Sequence, residues 1–108
     1  MTPPRTRSVR VLRSEELAEE SARSAMLEGE IPMGVARHRG QLFAFDPLCP
    51  HKFSDMSTGL LEDGAVVCPT HLWAFDLHTG ACRNVPGARV NTHTVREEDG
   101  WILVELPA

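Results

Sequence analysis

The sequence predicts an all-β domain built from short antiparallel strands. Its apolar and β-branched segments are short, and turn pairs such as Asp63-Gly64, Thr79-Gly80 and Asp99-Gly100 separate them. With 108 residues, 42% of them hydrophobic, the chain has room for a single domain, residues 1–108, and one modest core. No repeat or linker divides the sequence.

One segment of the first half has helical rather than β character. Residues 15–27 are rich in Ala, Glu and Leu, so propensity alone favours a helix there. Ser14 is suited to cap its first turn, where Glu15 and Glu16 are favourable beside the helix N-terminus. The rest of this half predicts strands over 8–13, 33–37 and 41–45, with turns at 28–30 and 38–40.

The second half predicts more short strands. Asp63-Gly64 turns the chain into one of them, and residues 98–100 join the last two as a hairpin. Pro86-Gly87 marks residues 83–89 as a loop. The strands are expected over 65–67, 74–77, 92–96 and 101–105.

Charge and cysteine content exclude several classes of protein. The net charge is −4, and four of the 11 basic residues lie in the first thirteen, which leaves an acidic body unsuited to nucleic acid. Three cysteines do not make a disulfide framework, so an unpaired thiol indicates a reducing compartment. No apolar run reaches the roughly 20 residues that span a bilayer, and no signal peptide is visible. We therefore expect a cytoplasmic protein.

Two Cys-His pairs dominate the middle of the chain. Cys49-Pro50-His51 is followed by sixteen residues and then by Cys68-Pro69-Thr70-His71. Two thiolates and two imidazoles on two short loops suit zinc, copper or an iron–sulfur centre. Structural zinc is the main rival to an iron–sulfur centre, but zinc fingers usually pair Cys with Cys and His with His.

With these residues in view, the stretch 42–106 resembles a Rieske-type [2Fe–2S] ferredoxin. The pattern C-x-H, about sixteen residues, C-x-x-H is that family's ligand motif. Further markers are Ser57-x-Gly59, Phe75-Asp76-x-x-Thr79-Gly80, Asn84-Val85-Pro86 and the closing run 95–104. The first third of the chain matches loosely.

The resemblance implies a Rieske-type antiparallel β-sandwich with a small cluster-binding subdomain, about 47–86, made of two ligand loops. It also implies one helical turn near 15–18 and a strand near 21–27, in place of the helix over 15–27 that propensity alone favours. One [2Fe–2S] cluster would be held by Cys49 and Cys68 on one iron and by His51 and His71 on the other. Pro50 and Pro69 would stiffen the loops.

The redox potential is expected near the low end of a range of roughly −150 to +300 mV. High-potential members of the family carry a Ser and a Tyr after the second His as donors to the cluster, where this chain has Trp73 and Phe75. They also carry a cysteine pair between the loops, where this chain has Phe53 and Thr70. A low potential suits electron delivery to an oxygenase and does not suit quinol oxidation.

The resemblance implies an electron carrier and not an enzyme. It would pass electrons from an NAD(P)H-dependent flavin reductase to a terminal mono- or dioxygenase. Alternatives are the Rieske small subunit of a nitrite reductase-like enzyme and a zinc-stabilised binding module. The residue after the second His is commonly Gly, and Leu72 there is similar to ferredoxins of toluene 4-monooxygenase-like, diiron oxygenases.

Both partners are expected to bind transiently around His51 and His71. Lys52, Phe53 and Trp73 flank those ligands in sequence, although cover for the core or cluster is the simpler role for Trp73. Cys82 is interpreted as a small buried residue, and His38, His78 and His93 are given no metal role. Phe43, Phe45, Phe75 and Trp101 are expected in the core.

Overall fold

The computed structural model describes residues 6–27, 31–47, 61–68 and 72–107. These residues form ten strands and one 3-10 turn, Ser14–Glu16. The strands are β1 Thr6–Arg13, β2 Ser21–Leu27, β3 Ile31–His38, β4 Gln41–Phe45, β5 Leu61–Glu62, β6 Ala65–Val67, β7 Ala74–Asp76, β8 Thr92–His93, β9 Val95–Glu98 and β10 Trp101–Pro107. No helix in this part of the chain is long and apolar enough to cross a membrane.

The strands form three antiparallel sheets, which confirms the predicted all-β class. Their orders are β1-β10-β9, β2-β3-β4-β8 and β5-β6-β7. The first two sheets face each other across a core to which β3 and β10 both contribute. That core contains Leu17, Leu27, Met33, Val35, Ala44, Ile102, Val104 and Leu106.

The hairpin β3–β4 is buried on both faces. Val35 is paired with Ala44 in register, and both belong to the core between the two larger sheets. Ala36 is paired with Phe43, and both belong to a second core that includes β6 and β7. Because neighbouring residues of a strand point to opposite faces, one hairpin supplies both cores.

The second core joins the small sheet β5-β6-β7 to the sandwich. Phe45 and Phe75 are its largest fully buried side chains. Phe45 lies over Gly34, where a Cβ atom would come within 2.5 Å of the ring. The close approach of ring to backbone explains glycine inside a strand at this position. The core positions of Phe43, Phe45 and Phe75 are as predicted.

The N-terminal part of the sandwich follows the expectation drawn from the family. Residues 21–27 form β2 and no helix covers 15–27, because β2 pairs along its whole length with β3. The turn lies slightly earlier than expected, and Arg13 rather than Ser14 holds its cap position. The Arg13 backbone N–H donates to Glu16 Oε1 at 3.0 Å. The turn expected at 28–30 lies outside the described residues.

Two predictions about the C-terminal strands were wrong. The strand predicted over 92–96 is two strands, because β8 pairs with β4 while β9 pairs with β10. Trp101 is half-buried and belongs to neither core. Instead, the guanidinium groups of Arg10 and Arg13 lie over its ring in cation–π contacts, each 4.9 Å from the ring centroid.

Gly80 provides a stability prediction. Its φ is +79°, and a Cβ atom there would lie 2.1 Å from the Val90 carbonyl oxygen. Gly40 has a similar φ of +76° but no atom within 4 Å of such a Cβ. We expect Gly40→Ala to cost about 1 kcal/mol of unfolding free energy from conformation alone. Gly80→Ala should cost at least about 3 kcal/mol, because the backbone must also move.

Chemical denaturation of the two variants beside the wild type measures this difference. Equal losses of unfolding free energy for Gly40→Ala and Gly80→Ala would mean that the backbone around Gly80 moves to accommodate the Cβ atom without strain.

Candidate metal centre

The second Cys-His loop begins and ends in a fixed backbone frame. The Cys68 N–H donates to the Trp73 carbonyl oxygen at 2.8 Å, and the Leu72 N–H donates to the Cys68 carbonyl oxygen at 2.9 Å. Cys68 directly follows β6, and Trp73 directly precedes β7. The two hydrogen bonds therefore fix the described residues on either side of positions 69–71.

Cys68 lies at the base of this loop, in a dry environment. It is fully buried and belongs to the second core, with Val66 and Phe75. Trp73 packs against the same core, with its ring centroid 6.4 Å from that of Phe75. Trp73 therefore covers the core, which was the simpler of its two expected roles.

Asn84 fastens the end of the loop from the opposite side. Its Nδ2 donates to the Leu72 carbonyl oxygen at 2.9 Å, and its Oδ1 accepts the Ala74 N–H at 3.1 Å. The same Oδ1 is 3.2 Å from Cys82 Sγ, which acts as the donor. One side-chain amide thus holds the backbone on both sides of Trp73. Cys82 is half-buried against the second core, less buried than expected.

Arg83 ties the hairpin of the small sheet to the turn after β7. Its guanidinium donates to the Asp63 carbonyl oxygen at 2.9 Å and to Asp76 Oδ2 at 2.8 Å. Asp76 Oδ1 accepts the backbone N–H groups of His78 and Thr79, which forms the turn that ends at Gly80. The Arg83 hydrogen bond, with help from these backbone donors, lowers the pKa of the Asp76 carboxyl below its usual value.

The approach to the first Cys-His loop is also anchored. Asp46 Oδ1 lies 2.7 Å from His93 Nε2, and Asp46 Oδ2 accepts from Asn91 Nδ2 at 3.0 Å. A backbone bond from the Asp46 N–H to the Asn91 carbonyl oxygen, also 3.0 Å long, completes the attachment. Pro47, which follows, is fully buried. The chain therefore leaves β4 for Cys49 from a fixed position.

Leu72 has an unusual conformation beside the predicted ligand His71. Its φ is +59°, in the left-handed region, and its side chain is 65% exposed. A residue with a Cβ atom pays about 1–2 kcal/mol for this conformation relative to ordinary helical or extended backbone. The hydrogen bonds of its N–H to Cys68 and of its carbonyl to Asn84 hold it there.

Most of the predicted ligand set lies outside the described residues. Cys68 is described, whereas Cys49, His51 and His71 are not, and neither are Lys52 and Phe53. In the described ranges, no three residues of metal-binding type come together. The remaining histidines have protein contacts: His38 with Glu20, His93 with Asp46, and His78 edge-on to Phe43.

Sequence reasoning missed the residues that fix the loops. Asn84 appeared as part of a family marker, but nothing in the sequence indicated that its amide spans Trp73. The partners of Arg83 and Asp46 depend on long-range packing, so neither was identified. The Asp76-x-x-Thr79-Gly80 run carried a local signal, because aspartate commonly accepts backbone N–H groups two or three residues ahead.

Comparison with known proteins identifies the family. A family model described as the Rieske [2Fe-2S] domain matches residues 7–96. The chain belongs to the Rieske [2Fe-2S] family. The match covers both Cys-His loops, and it confirms the resemblance inferred from the ligand spacing.

Individual relatives of this Rieske protein are ferredoxins of oxygenase systems. It is 35% identical to the anthranilate 1,2-dioxygenase ferredoxin subunit of Burkholderia cepacia over 81% of its own length and 82% of that protein's. It is 30% identical to the ferredoxin component of the alkene monooxygenase system of Xanthobacter autotrophicus, over 70% and 63% respectively. The Sphingomonas yanoikuyae B1 ferredoxin superposes with a TM-score of 0.85 at 25% identity, over 94% of this chain and 100% of that one. The predicted class, a ferredoxin and not a catalytic subunit, is confirmed.

The described part of the site fits the cluster that the family implies. Thiolate ligands of iron–sulfur clusters are tuned by burial and by hydrogen bonding around the sulfur. Cys68 meets the first condition, since it is fully buried beside Phe75. Its loop is closed by backbone hydrogen bonds and therefore presents Cys68 from a fixed position.

Removing the Asn84 amide should loosen the second loop. Asn84→Ala leaves the Leu72 carbonyl and the Ala74 N–H without their partner, so we expect a loss of about 1–2 kcal/mol in unfolding free energy. Iron retention on dilution or chelation should fall with it. Asn84→Asp keeps the acceptor for Ala74 but places a carboxylate oxygen against the Leu72 carbonyl oxygen, so its loss should be at least as large as that of Asn84→Ala.

Thermal unfolding and timed iron release to a chelator measure both effects. Wild-type stability and iron retention in Asn84→Ala would show that the amide does not hold the loop.

Proposed function

We propose that this Rieske protein is the electron-transfer ferredoxin of a multicomponent oxygenase system. It takes single electrons from an NAD(P)H-dependent flavin reductase and delivers them to a terminal oxygenase. The observation that carries the proposal is the kind of relative it has: ferredoxin subunits of a dioxygenase and of a monooxygenase system, each at least 30% identical. A carrier of this kind needs no substrate pocket of its own.

The proposed cofactor is one [2Fe–2S] cluster for each chain, held by Cys49, His51, Cys68 and His71. The ligand order and spacing support this set, and so does the burial of Cys68. The whole chain, 1–108, is proposed to be one domain in which residues 47–86 form the cluster-binding part. The cluster supplies a site that accepts and releases one electron.

The protein's own residues then have separate tasks. The thiolates of Cys49 and Cys68 carry the negative charge of the ligand set, and the neutral imidazoles of His51 and His71 leave it less negative than four thiolates would. The dry core around Cys68 keeps water from that side. Asn84 and the backbone bonds of Cys68 keep the second loop in place.

The docking face is proposed to surround His51 and His71, with Lys52, Phe53 and Trp73 at its border. Electron tunnelling weakens steeply with distance, so a partner must approach the ligand edge closely. Reductase and oxygenase would use this face in turn through a small, weak interface. A potential near the low end of the Rieske range suits delivery to an oxygenase.

The alternatives have less support. A small subunit of a nitrite reductase-like enzyme would use the same fold, but both sequence relatives described above are oxygenase ferredoxins. A zinc-stabilised binding module would need a different ligand pattern from the alternating Cys and His of this chain.

The cluster proposal predicts a red-brown protein with two irons and two acid-labile sulfides per chain. Cys68→Ser should lose most of the iron and the visible absorbance, because a buried thiolate ligand is removed. Cys82→Ser is the matched control, since a hydroxyl can still donate to Asn84 Oδ1. Metal analysis and visible and EPR spectra are the measurements.

A colourless protein with one zinc per chain would refute the cluster proposal. A normal Rieske spectrum in Cys68→Ser would refute the ligand assignment.

The carrier proposal predicts electron delivery to an oxygenase. The probes are the oxygenase components of the Burkholderia cepacia anthranilate 1,2-dioxygenase and Xanthobacter alkene monooxygenase systems, each with its own reductase and NADH. Replacing the native ferredoxin by this chain should restore product formation with at least one of them. Omitting the chain, or supplying Cys68→Ser, should leave only the background rate.

Stopped-flow spectra of the chain, first with the reductase and then with the oxygenase, separate the two half-reactions. Rapid reduction by neither reductase, or no reoxidation by either oxygenase, would count against the carrier function.

A further inference from the structure

Leu72 combines a strained backbone with an exposed apolar side chain. Glycine would adopt its φ of +59° without the steric cost that a Cβ atom brings. The leucine side chain recovers little through packing, because it remains 65% exposed. The two hydrogen bonds that hold its backbone involve main-chain groups, which a glycine would provide equally well. The described residues therefore give no structural reason for leucine at this position.

The other large apolar side chains that are exposed in the described ranges are less unusual. They are Met26, 66% exposed, and Ile31, 38% exposed, both on regular strands with extended backbone. Scattered apolar residues of this kind need no explanation. Leu72 differs because it is strained and directly follows His71, a proposed ligand at the edge where electrons leave.

An acidic border lies beside Leu72. An open depression is lined by Leu72, Glu62 and Asp63, together with Arg83 and Asn84. Glu62 and Asp63 are exposed, and neither carboxylate has an ion-pair partner among the residues that the structure describes. Arg83 is already paired with Asp76. In the part of the chain that the structure describes, an exposed leucine therefore lies next to two carboxylates that have no ion-pair partner.

We propose that Leu72 is an apolar anchor that recognises the terminal oxygenase, which would offer a matching apolar recess bordered by basic side chains. The inference rests on the proposed carrier function and names a residue that determines its partner. Specificity is a difference in affinity between right and wrong partners. Both partners would approach the same ligand edge, but only the oxygenase would offer a recess for Leu72. A reduced carrier can lose its electron to any suitable acceptor, so a selective contact is of most use on the oxygenase side.

The proposed anchor role of Leu72 makes a prediction that a purely structural role of this residue does not. Leu72→Gly removes the side chain and relieves the backbone strain, so its melting temperature should equal or exceed that of the wild type, and its iron content and redox potential should be unchanged. Its half-saturating concentration for the oxygenase should nevertheless rise, on the order of tenfold, because a buried leucine contact is lost. Leu72→Met should retain most of the wild-type affinity.

The probe is whichever of the two oxygenase components named above the wild-type chain reduces faster. Met26→Gly is the matched control, because the Met26 side chain is as exposed as that of Leu72 but lies on β2. This variant should leave the oxygenase kinetics unchanged. Reduction by the corresponding flavin reductase is measured for every variant and should change less than twofold in Leu72→Gly.

The salt dependence of electron transfer distinguishes the charged part of the surface, Glu62 and Asp63, from its apolar part, Leu72. Glu62→Gln and Asp63→Asn should slow transfer to the oxygenase at low ionic strength, and the effect should shrink in high salt because exposed charges are screened. The defect of Leu72→Gly should persist in high salt, since it is apolar in origin.

Four results would overturn the anchor: unchanged oxygenase kinetics in Leu72→Gly, a lower melting temperature or iron content in that variant, an equal slowing with the reductase, or an equal defect in Met26→Gly. If the wild-type chain reduces neither oxygenase, the carrier function fails instead, and the two failures are thereby distinct.

Discussion

The two-sided burial of the hairpin β3–β4 is the constraint on which the rest of the structure depends. Val35 and Ala44 pack in the core between the two larger sheets. Ala36, Phe43 and Phe45 pack in the second core, against the small sheet. Each core fixes the position of the same two strands from its own side. The small sheet can then be placed against a rigid layer, although β5-β6-β7 has few residues of its own to bury.

The second Cys-His loop inherits its position from that layer. Phe75 and Cys68 share a core with Phe45, so the strands on either side of the loop are held from below. Hydrogen bonds from Asn84, together with those between Cys68, Leu72 and Trp73, then fix the loop from its sides. The family expectation that short loops present the ligands has, for the second loop, a physical basis in these contacts.

Many of the strands, and the family, could be predicted from the sequence because their signals are local. The alternation and turn residues of 33–45 set β3 and β4, and the spacing of the Cys-His pairs indicated the family. The helix suggested by propensity over 15–27 does not form, because strand pairing with β3 outweighs a weak local preference. The split of 92–96 between two sheets could not be predicted, since it depends on which neighbour each half meets.

The residues that support the second Cys-His loop could not be predicted from the sequence. Trp101 was placed in the core because it is large and apolar, whereas the structure uses its ring face for two arginines. The roles of Asn84 and Arg83 depend on how the chain path brings together residues that are 12 and 20 positions apart in the sequence, which no spacing rule encodes. The positive φ of Leu72 was equally invisible, because the usual glycine signal is missing there.

The fixed setting of Cys68 has a consequence for speed. An electron can move quickly only if the atoms around its site need little rearrangement when the charge changes, that is, if the reorganisation energy is small. Water dipoles contribute strongly to this energy, and mobile ligands add to it. The Cys68 side chain has no exposed surface, and the backbone N–H and carbonyl of Cys68 are held by hydrogen bonds of 2.8 and 2.9 Å, so this residue has little freedom to rearrange. For Cys68 as a proposed ligand, the rigidity that stabilises its backbone therefore also favours rapid electron exchange.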